Sequence, residues 1–422
     1  MCIGGIHHPT QSQPRSNFKR IWVDDIEHGF PFVSGKELFH FRLPQDRFVS
    51  RSVPKMAELK VPESSILISR SGTIGIPVFV GRRLAEYAVT DDALRISPGK
   101  LPMGYVYAYL ASAQGYALMT KGAYGATVGH LEPKHLTPLP VPIADESVQR
   151  TIHKRIIRAY ALRDTANDLL DGADSLLHQT LNVAPFSEKD VDYLGTPNQP
   201  KAFAISSREL GVRFDATHHV PVTRSVLSKL RQGRFPLVQL DELTANIYLA
   251  PRFARIYVER EYGTPLLQGS HVALMRIHDI KFISNTETEK MERWIIRRSQ
   301  VLITCSGTIG RVALASSAQD GWAASQHILR LTARPGISHP GYLAAFLMTP
   351  FGQHQLLAKV YGGVVDELTD GDTAIVLAPK VPFAKQCEIG ERVEEAFELR
   401  DKANAEEDTA ILEFERLLIS KG

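Results

Sequence analysis

The sequence predicts a mixed α+β protein of the α/β class, built as two similar bodies that alternate with two long helices. Three observations lead there. The pentapeptide SGTIG occurs at residues 71–75 and again at 306–310, each time after a short apolar run. Further matches between the two regions keep constant order and nearly constant spacing. Each copy then ends in a long proline-free stretch with apolar residues every three or four positions.

The spacing of the matches is specific. Ile66-Leu67-Ile68 precedes the first pentapeptide and Val301-Leu302-Ile303 the second, 235 residues on. That spacing also relates Arg20-Ile21-Trp22-Val23 to Arg255-Ile256-Tyr257-Val258, and Leu94-Arg95 to Leu329-Arg330. Farther on it is 237: Gly104-Tyr105 with Gly341-Tyr342, Gly115 with Gly352, and AYALRDTAN (159–167) with AFELRDKAN (396–404). Ordered matches over so long a stretch mean one duplicated module.

Bulk properties bound the rest. A chain of 422 residues has room for two to four domains. Hydrophobic content of 44% and charged content of 23% are ordinary for a soluble globular protein. No apolar run approaches the ~20 residues of a membrane span. The opening MCIGGIHHPTQSQPR lacks the basic-then-apolar plan of a secretory signal, so a cytoplasmic location is expected. Cys2, Cys305 and Cys387 form no CxxC pair, which argues against a disulfide framework or a zinc site. The formal charge of +3 permits a polyanionic partner without demanding one.

Within the first body, SSILISRSGTIGIPVFVG predicts two strands either side of a glycine-punctuated turn. MGYVYAYLASAQGYALM carries Val106, Leu110, Ala113 and Ala117 at helical spacing. KGAYGATVGHL is too glycine-rich for a helix, and Pro138, Pro140 and Pro142 then force an extended connector. A helix follows over 148–181, with Ile152, Ile156, Ala159, Leu162, Ala166, Leu169, Ala173 and Leu176 as a coiled-coil seam that slips phase once. The second copy repeats it through Ile389, Val393, Ala396, Leu399, Ala403, Ala410, Phe414 and Leu417. The divisions are 1–145 for a first body short at its start, 146–182 for a helix, 183–385 for the second body and 386–422 for its helix. A preface before Arg255 (RELGVRFDATHHVP through LTANIYLAP) has only 19 residues opposite it before Arg20, so the first body is expected to lack that element.

A search for chemistry finds no catalytic centre. A nucleotide-binding P-loop needs GxxxxGK[ST], and neither SGTIG supplies the lysine. His7-His8 and His218-His219 are adjacent pairs, whose rings diverge rather than converge on one metal. The acids of VVDELTDGD (364–372) read as a solvated loop. What remains is polar decoration near the turns: Arg70, Ser71, Thr73, Lys121, Tyr124, Thr127 and His130 in the first copy. The second has Thr304, Ser306, Thr308, Arg311, Lys359 and Tyr361. Arg, Lys and hydroxyl groups interleaved with an aromatic suit phosphate and base-edge contacts.

The plan as a whole resembles a known family. ILISRSGTIG, the PLPVPI connector, a helix opening Gln149-Arg150-Thr151-Ile152, and then the same order again look like the specificity (S) subunit of type I restriction–modification systems. VLITCSGTIGRVALA, APKVPFAKQCEI and VRFDATHHVP resemble its equivalent segments, so the match covers nearly the whole chain. The resemblance implies that each body is a target-recognition domain for half of a bipartite double-stranded DNA sequence. It implies that the helices form an antiparallel coiled coil, related by a pseudo-twofold, that docks methyltransferase subunits, two of them. Those partners would carry S-adenosylmethionine and methylate adenine, and a translocase-nuclease subunit would join for cleavage. This chain would then bind no cofactor and catalyse nothing itself. The departures are the short first body, LAPKVP in place of LPVP, and Cys305 opposite Arg70, which implies that the bodies read different bases. Two rival readings are a nuclease fused to recognition domains, which lacks sequence left over for a catalytic module, and a protein-interaction scaffold joined by its coil.

Overall fold

The computed structural model describes residues 6–7, 20–54, 56–123, 129–186, 191, 202–208, 210–211, 213–286, 291–362 and 366–419. It is a mixed α+β structure in two compact units, Met1–Asn167 with Leu399–Gly422 and Asp168–Glu398. Each unit repeats the sheet plan of the other.

In the first unit an antiparallel sheet has the order Ile6–His7, Ala93–Ile96, Ile66–Ser69, Pro77–Phe79. The second unit has Thr244–Leu249, Ile328–Ala333, Val301–Thr304, Val312–Leu314 in the same order and directions. The central strands are continuous Ile/Leu/Val runs, and Ile66–Ser69 and Val301–Thr304 are buried along their whole length, as strands covered on both faces should be. Register agrees too: Ile66 faces Ile96 and Val301 faces Leu331. One expectation is corrected here. Ile6 pairs with Ile96 and His7 with Arg95, as Ile247 pairs with Leu331 and Tyr248 with Arg330. The first unit therefore has the edge strand that the preface supplies to the second.

A smaller sheet also recurs. Its order is Trp22–Val23, Phe48–Ser50, Gly29–Val33, Ala88–Val89, the last pair parallel. Its counterpart is Tyr257–Val258, Lys281–Ser284, Gly263–Leu267, Ala323–Ala324. Phe32, Val49, Val53, Met56, Leu59 and Ala88 form the core beneath the first, and Leu266, Ile283, Trp294 and Ala323 lie beneath the second.

The helical stretch predicted through Val106 and Ala117 is two helices, Met103–Ala111 and Ala113–Thr120. Ser112 between them is extended, and its Oγ accepts from the Gly115 amide at 3.1 Å. That cap lets the chain turn sharply, and a Cβ at Gly115 would lie 1.9 Å from the Tyr109 carbonyl oxygen. Apolar periodicity continues through the break, which is why it hides in the sequence. Thr349 breaks Pro340–Met348 from Pro350–Ala358 in the second unit in the same way.

The long helices are Glu146–Leu181 and Phe383–Ile419. Within the first unit their segments run antiparallel: Arg155 bonds Glu413 at 3.0 Å and Glu406 at 2.8 Å, whereas Arg163, farther along, reaches Asn404 and Glu407. Buried positions on the first helix include Ile152, Ile156, Ala159, Arg163, Ala166, Leu170, Ala173 and Leu177. Those on the second include Ile389, Val393, Ala396, Arg400, Ala403, Glu407, Ala410 and Phe414. Both follow an unbroken 4–3 heptad alternation, so the predicted phase slip does not occur. Leu162, Leu169, Leu176 and Leu399 are only half-buried, one residue off the seam. Charged residues occupy the seam instead, and they misdirect an apolar reading of it. The first unit's core closes on the second helix: Phe414 packs against Tyr105 and Tyr109 with ring centroids 5.2 and 5.5 Å apart, and truncating such an aromatic costs about 3–5 kcal/mol.

Candidate nucleic-acid interface

The two SGTIG segments are the same turn. Ser69 Oγ accepts from Ile76 N at 2.9 Å, and Thr304 Oγ1 accepts from Arg311 N at 3.0 Å. Gly75 N donates to Ser69 O and Gly310 N to Thr304 O, both at 2.9 Å. Gly72, Gly75, Gly307 and Gly310 all have positive φ, where a side chain is strained and glycine is not. Such a turn explains why these residues recur.

The chain then returns beside each turn. Ser71 forms a β-bridge with His130, and Ser306 one with Glu367. Leu131 N donates to Arg70 O at 3.0 Å, and Leu368 N to Cys305 O at 2.9 Å. Scaffold and register match; the side chains do not. In the first unit Asp92 Oδ1 accepts from Arg70 at 3.0 Å and from Ser71 at 2.9 Å, while Ser71 Oγ also meets His130 Nδ1 at 2.9 Å. Beside them Arg20 donates to Asp91 at 2.7 Å. The buried Arg95 donates to the carbonyls of Val89 and Thr90, anchoring the loop that presents both aspartates. Burial pulls its pKa down to about 10.

In the second unit Arg255 donates to Gln326 Oε1 at 2.5 Å, and the Gln326 amide meets His327 Nε2 at 3.0 Å. Arg252, Cys305, Gln326, His327, Tyr361 and Glu367 contribute to the lining of a cleft of about 330 Å³. Burial lowers the His327 pKa, helped by Arg255 and Arg252, which favours the neutral ring. The Cys305 thiol is pushed up to about 12, chiefly by burial, and is no nucleophile.

The sequence-predicted residues divide accordingly. Thr73 and Thr308 are exposed at the turn tips, Ser71 and Ser306 lie half-buried beneath them, and Tyr361 is exposed. Lys121 is exposed as the C-cap residue of Ala113–Thr120. Lys359 caps Pro350–Ala358 but is half-buried, and burial lowers its pKa. Arg311 is half-buried, with its pKa lowered by desolvation. Thr304 does not reach the surface: it is 1% exposed, and its hydroxyl is spent inside the turn on Thr308 O. His8, Tyr124 and Thr127 lie outside the described residues, as does the side chain of His7. The acids of 366–372 are not a plain loop. Glu367 pairs with Tyr361, and Asp370 and Asp372 open the helix Asp370–Ala374, where negative charge is favoured.

Arg20, Asp91 and Asp92 with their counterparts Arg255, Gln326 and His327 escape a reading of motifs. So do the exposed aromatics Trp22 and Tyr257, which sit at matching edge-strand positions. The signal available was Arg20 and Arg255 at equal spacing. His218 and His219 bond the carbonyls of Ala358 and Arg213 and serve the fold. Among the described residues no cluster of three or more His, Cys, Asp or Glu could hold a metal ion, and no helix is long and apolar enough to cross a membrane.

No protein-family model matches the chain, and no curated protein matches it. Solved structures do. The chain is similar to the S subunit of a type I restriction–modification system from M. genitalium, at 12% identity over 98% of this chain and 94% of that one, TM-score 0.38. It is similar to the HsdS subunit from Thermoanaerobacter tengcongensis, at 14% identity over 98% and 90%, TM-score 0.30. A third likeness is to a structure describing assembly and conformational transition of the type I system, at 12% identity over 99% and 94%, TM-score 0.32.

Proposed function

We propose that the chain is the non-catalytic specificity subunit of a type I restriction–modification complex, with each unit reading one half of a two-part duplex sequence. The observation that carries this is the duplicated turn-and-return scaffold, which presents different polar side chains at equal positions. Binding one ligand twice would favour equal side chains; reading two half-sites favours equal scaffolding and unequal readers. The seam of the long helices is buried, while Arg158, Lys402 and Asp408 are exposed. Those outer faces suit docking of two methyltransferase subunits, which would bring S-adenosylmethionine and the methyl transfer. A translocase-nuclease subunit would join for cleavage, in the cytoplasm.

The test is binding of the full chain to duplex DNA as a function of salt, with methylation mapped in the source genome with and without the gene. A steep salt slope and a bipartite methylated motif that vanishes with the gene are expected. Salt-independent or absent binding, with an unchanged methylation map, would leave the coil-joined scaffold as the better reading.

A further inference from the structure

We infer that four positions in each unit form its base-discriminating set: Arg70, Asp91, Asp92 and His130 in the first, and Cys305, Gln326, His327 and Glu367 in the second. This rests on the duplex-reading proposal and goes beyond it by naming the discriminating side chains. The argument starts from what the units share. Around the turn, Ser71 equals Ser306 and Thr73 equals Thr308, both glycines recur, and Arg20 equals Arg255. The backbone bridges at 71 and 306 and the arginine bonds to positions 91 and 326 recur as well.

Against that shared frame the four differing positions are not scattered. In the first unit Asp92 joins Arg70 to Ser71, and Ser71 joins His130. In the second, Cys305 Sγ donates to the Gln326 carbonyl at 3.9 Å, Gln326 meets His327, and Glu367 pairs beside Ser306. In the first unit Arg70, Asp92 and His130 share one hydrogen-bonded network through Ser71, with Asp91 next to it in sequence and held by Arg20. Differing side chains grouped in this way on a matching backbone are what different ligands on a common scaffold require.

The chemistry differs in kind. Asp91 and Asp92 offer only acceptors, and a carboxylate has about four lone-pair sites, so the bond to Arg20 leaves capacity to spare. Acceptors match the exocyclic amino groups of cytosine or adenine in the major groove. Gln326 and His327 carry donors as well, which suits a base edge with acceptors. Arg20 and Arg255, common to both, orient the reader rather than choose the base.

The experiment exchanges the set. The full chain carrying Arg70→Cys, Asp91→Gln, Asp92→His and His130→Glu is tested in a selection from randomised duplexes, beside the wild type. All four change together because Asp92→His alone would strand the largely buried Arg70. The first half-site should move toward the second unit's preference by about tenfold or more, with the second half-site and the salt slope unchanged. Asp91→Asn, which keeps an acceptor for Arg20 and adds a donor, is the second variant and should relax the first half-site at one base. A folded exchange variant with the wild-type first half-site overturns the assignment; if that variant does not fold, an unrelaxed Asp91→Asn does so. A wild type that selects no sequence overturns the duplex-reading proposal instead.

Discussion

Arg163 on the first long helix donates to Glu407 on the second, and both side chains lie in the buried seam, 5% and 1% exposed. Tyr107 adds a hydroxyl donated to Glu407 Oε1 at 2.7 Å, and the guanidinium sits 4.6 Å over the Tyr160 ring. Among the described residues Arg163 Nε and Nη1 have no acceptor. Desolvating two charges costs several kcal/mol for each, and their attraction offsets it only while both are present.

Arg163→Met should therefore destabilise the chain by about 3–5 kcal/mol, because Glu407 stays buried without its cation. Adding Glu407→Leu to that variant should recover most of the loss or exceed the wild type. Chemical unfolding of the four members of the cycle measures this. A double variant whose loss equals the sum of the two single losses would show that the pair is not coupled.

The second prediction concerns pH. Gly104 N donates to His153 Nδ1 at 3.0 Å, so that nitrogen must carry no proton. Burial lowers the His153 pKa from 6.5. A lowered folded value means the unfolded chain takes up the proton first, so the stability from this contact is full above 6.5 and is lost as pH falls through that value. The loss should be about one hydrogen bond, 0.5–1.5 kcal/mol. His153→Asn, whose amide oxygen can accept the same bond, should flatten this part of the thermal-stability profile. An identical acid slope in wild type and variant would assign it to other groups.

Thiol accessibility gives a third. Cys305 is buried with its thiol held near 12, whereas Cys387 is half-exposed. Maleimide at mildly alkaline pH should label Cys387 in the native chain and Cys305 only after unfolding, as read by peptide mass mapping. Native labelling of Cys305 at a comparable rate would mean the second unit's cleft opens readily.

The fourth separates two lysines that look alike in the sequence. Exposed Lys121 should contact phosphate, so Lys121→Ala should lower the salt slope of duplex binding by about one unit and weaken binding to all sequences alike. Lys359 is half-buried, and its carbonyl accepts from Arg213 at 3.0 Å. Lys359→Ala should change the slope less and loosen the helix end more. If both variants keep the wild-type slope, these helix ends are not the contact surface.

Much of the fold is legible because its signals are local. Glycines at positive φ, short Ile/Leu/Val runs and a proline-free heptad stretch declare the turn, the strands and the long helices. What escapes depends on distant partners. Arg163 reads as a surface residue until Glu407 is placed opposite it, so the sequence favours Leu162 for the seam. The edge strand Ile6–His7 is two residues long and has no period to detect. At the candidate interface the turn residues are visible, but Arg20 and Asp91 are 71 residues apart, and only the sheet brings them together.

The first compact unit is assembled from both ends of the chain, with residues 168–398 synthesised between them. Ribosomes deliver Tyr105, Tyr107 and Tyr109 long before Glu407 and Phe414, which cover them. The second unit, continuous in sequence, can close as it emerges, while the first must wait with an aromatic face open until residues 399–419 have been made. Residues 399–419 thus act as a latch on residues 20–167: a truncation before residue 399 takes the cover off Tyr105, Tyr107 and Tyr109 while leaving the segment that carries them in place.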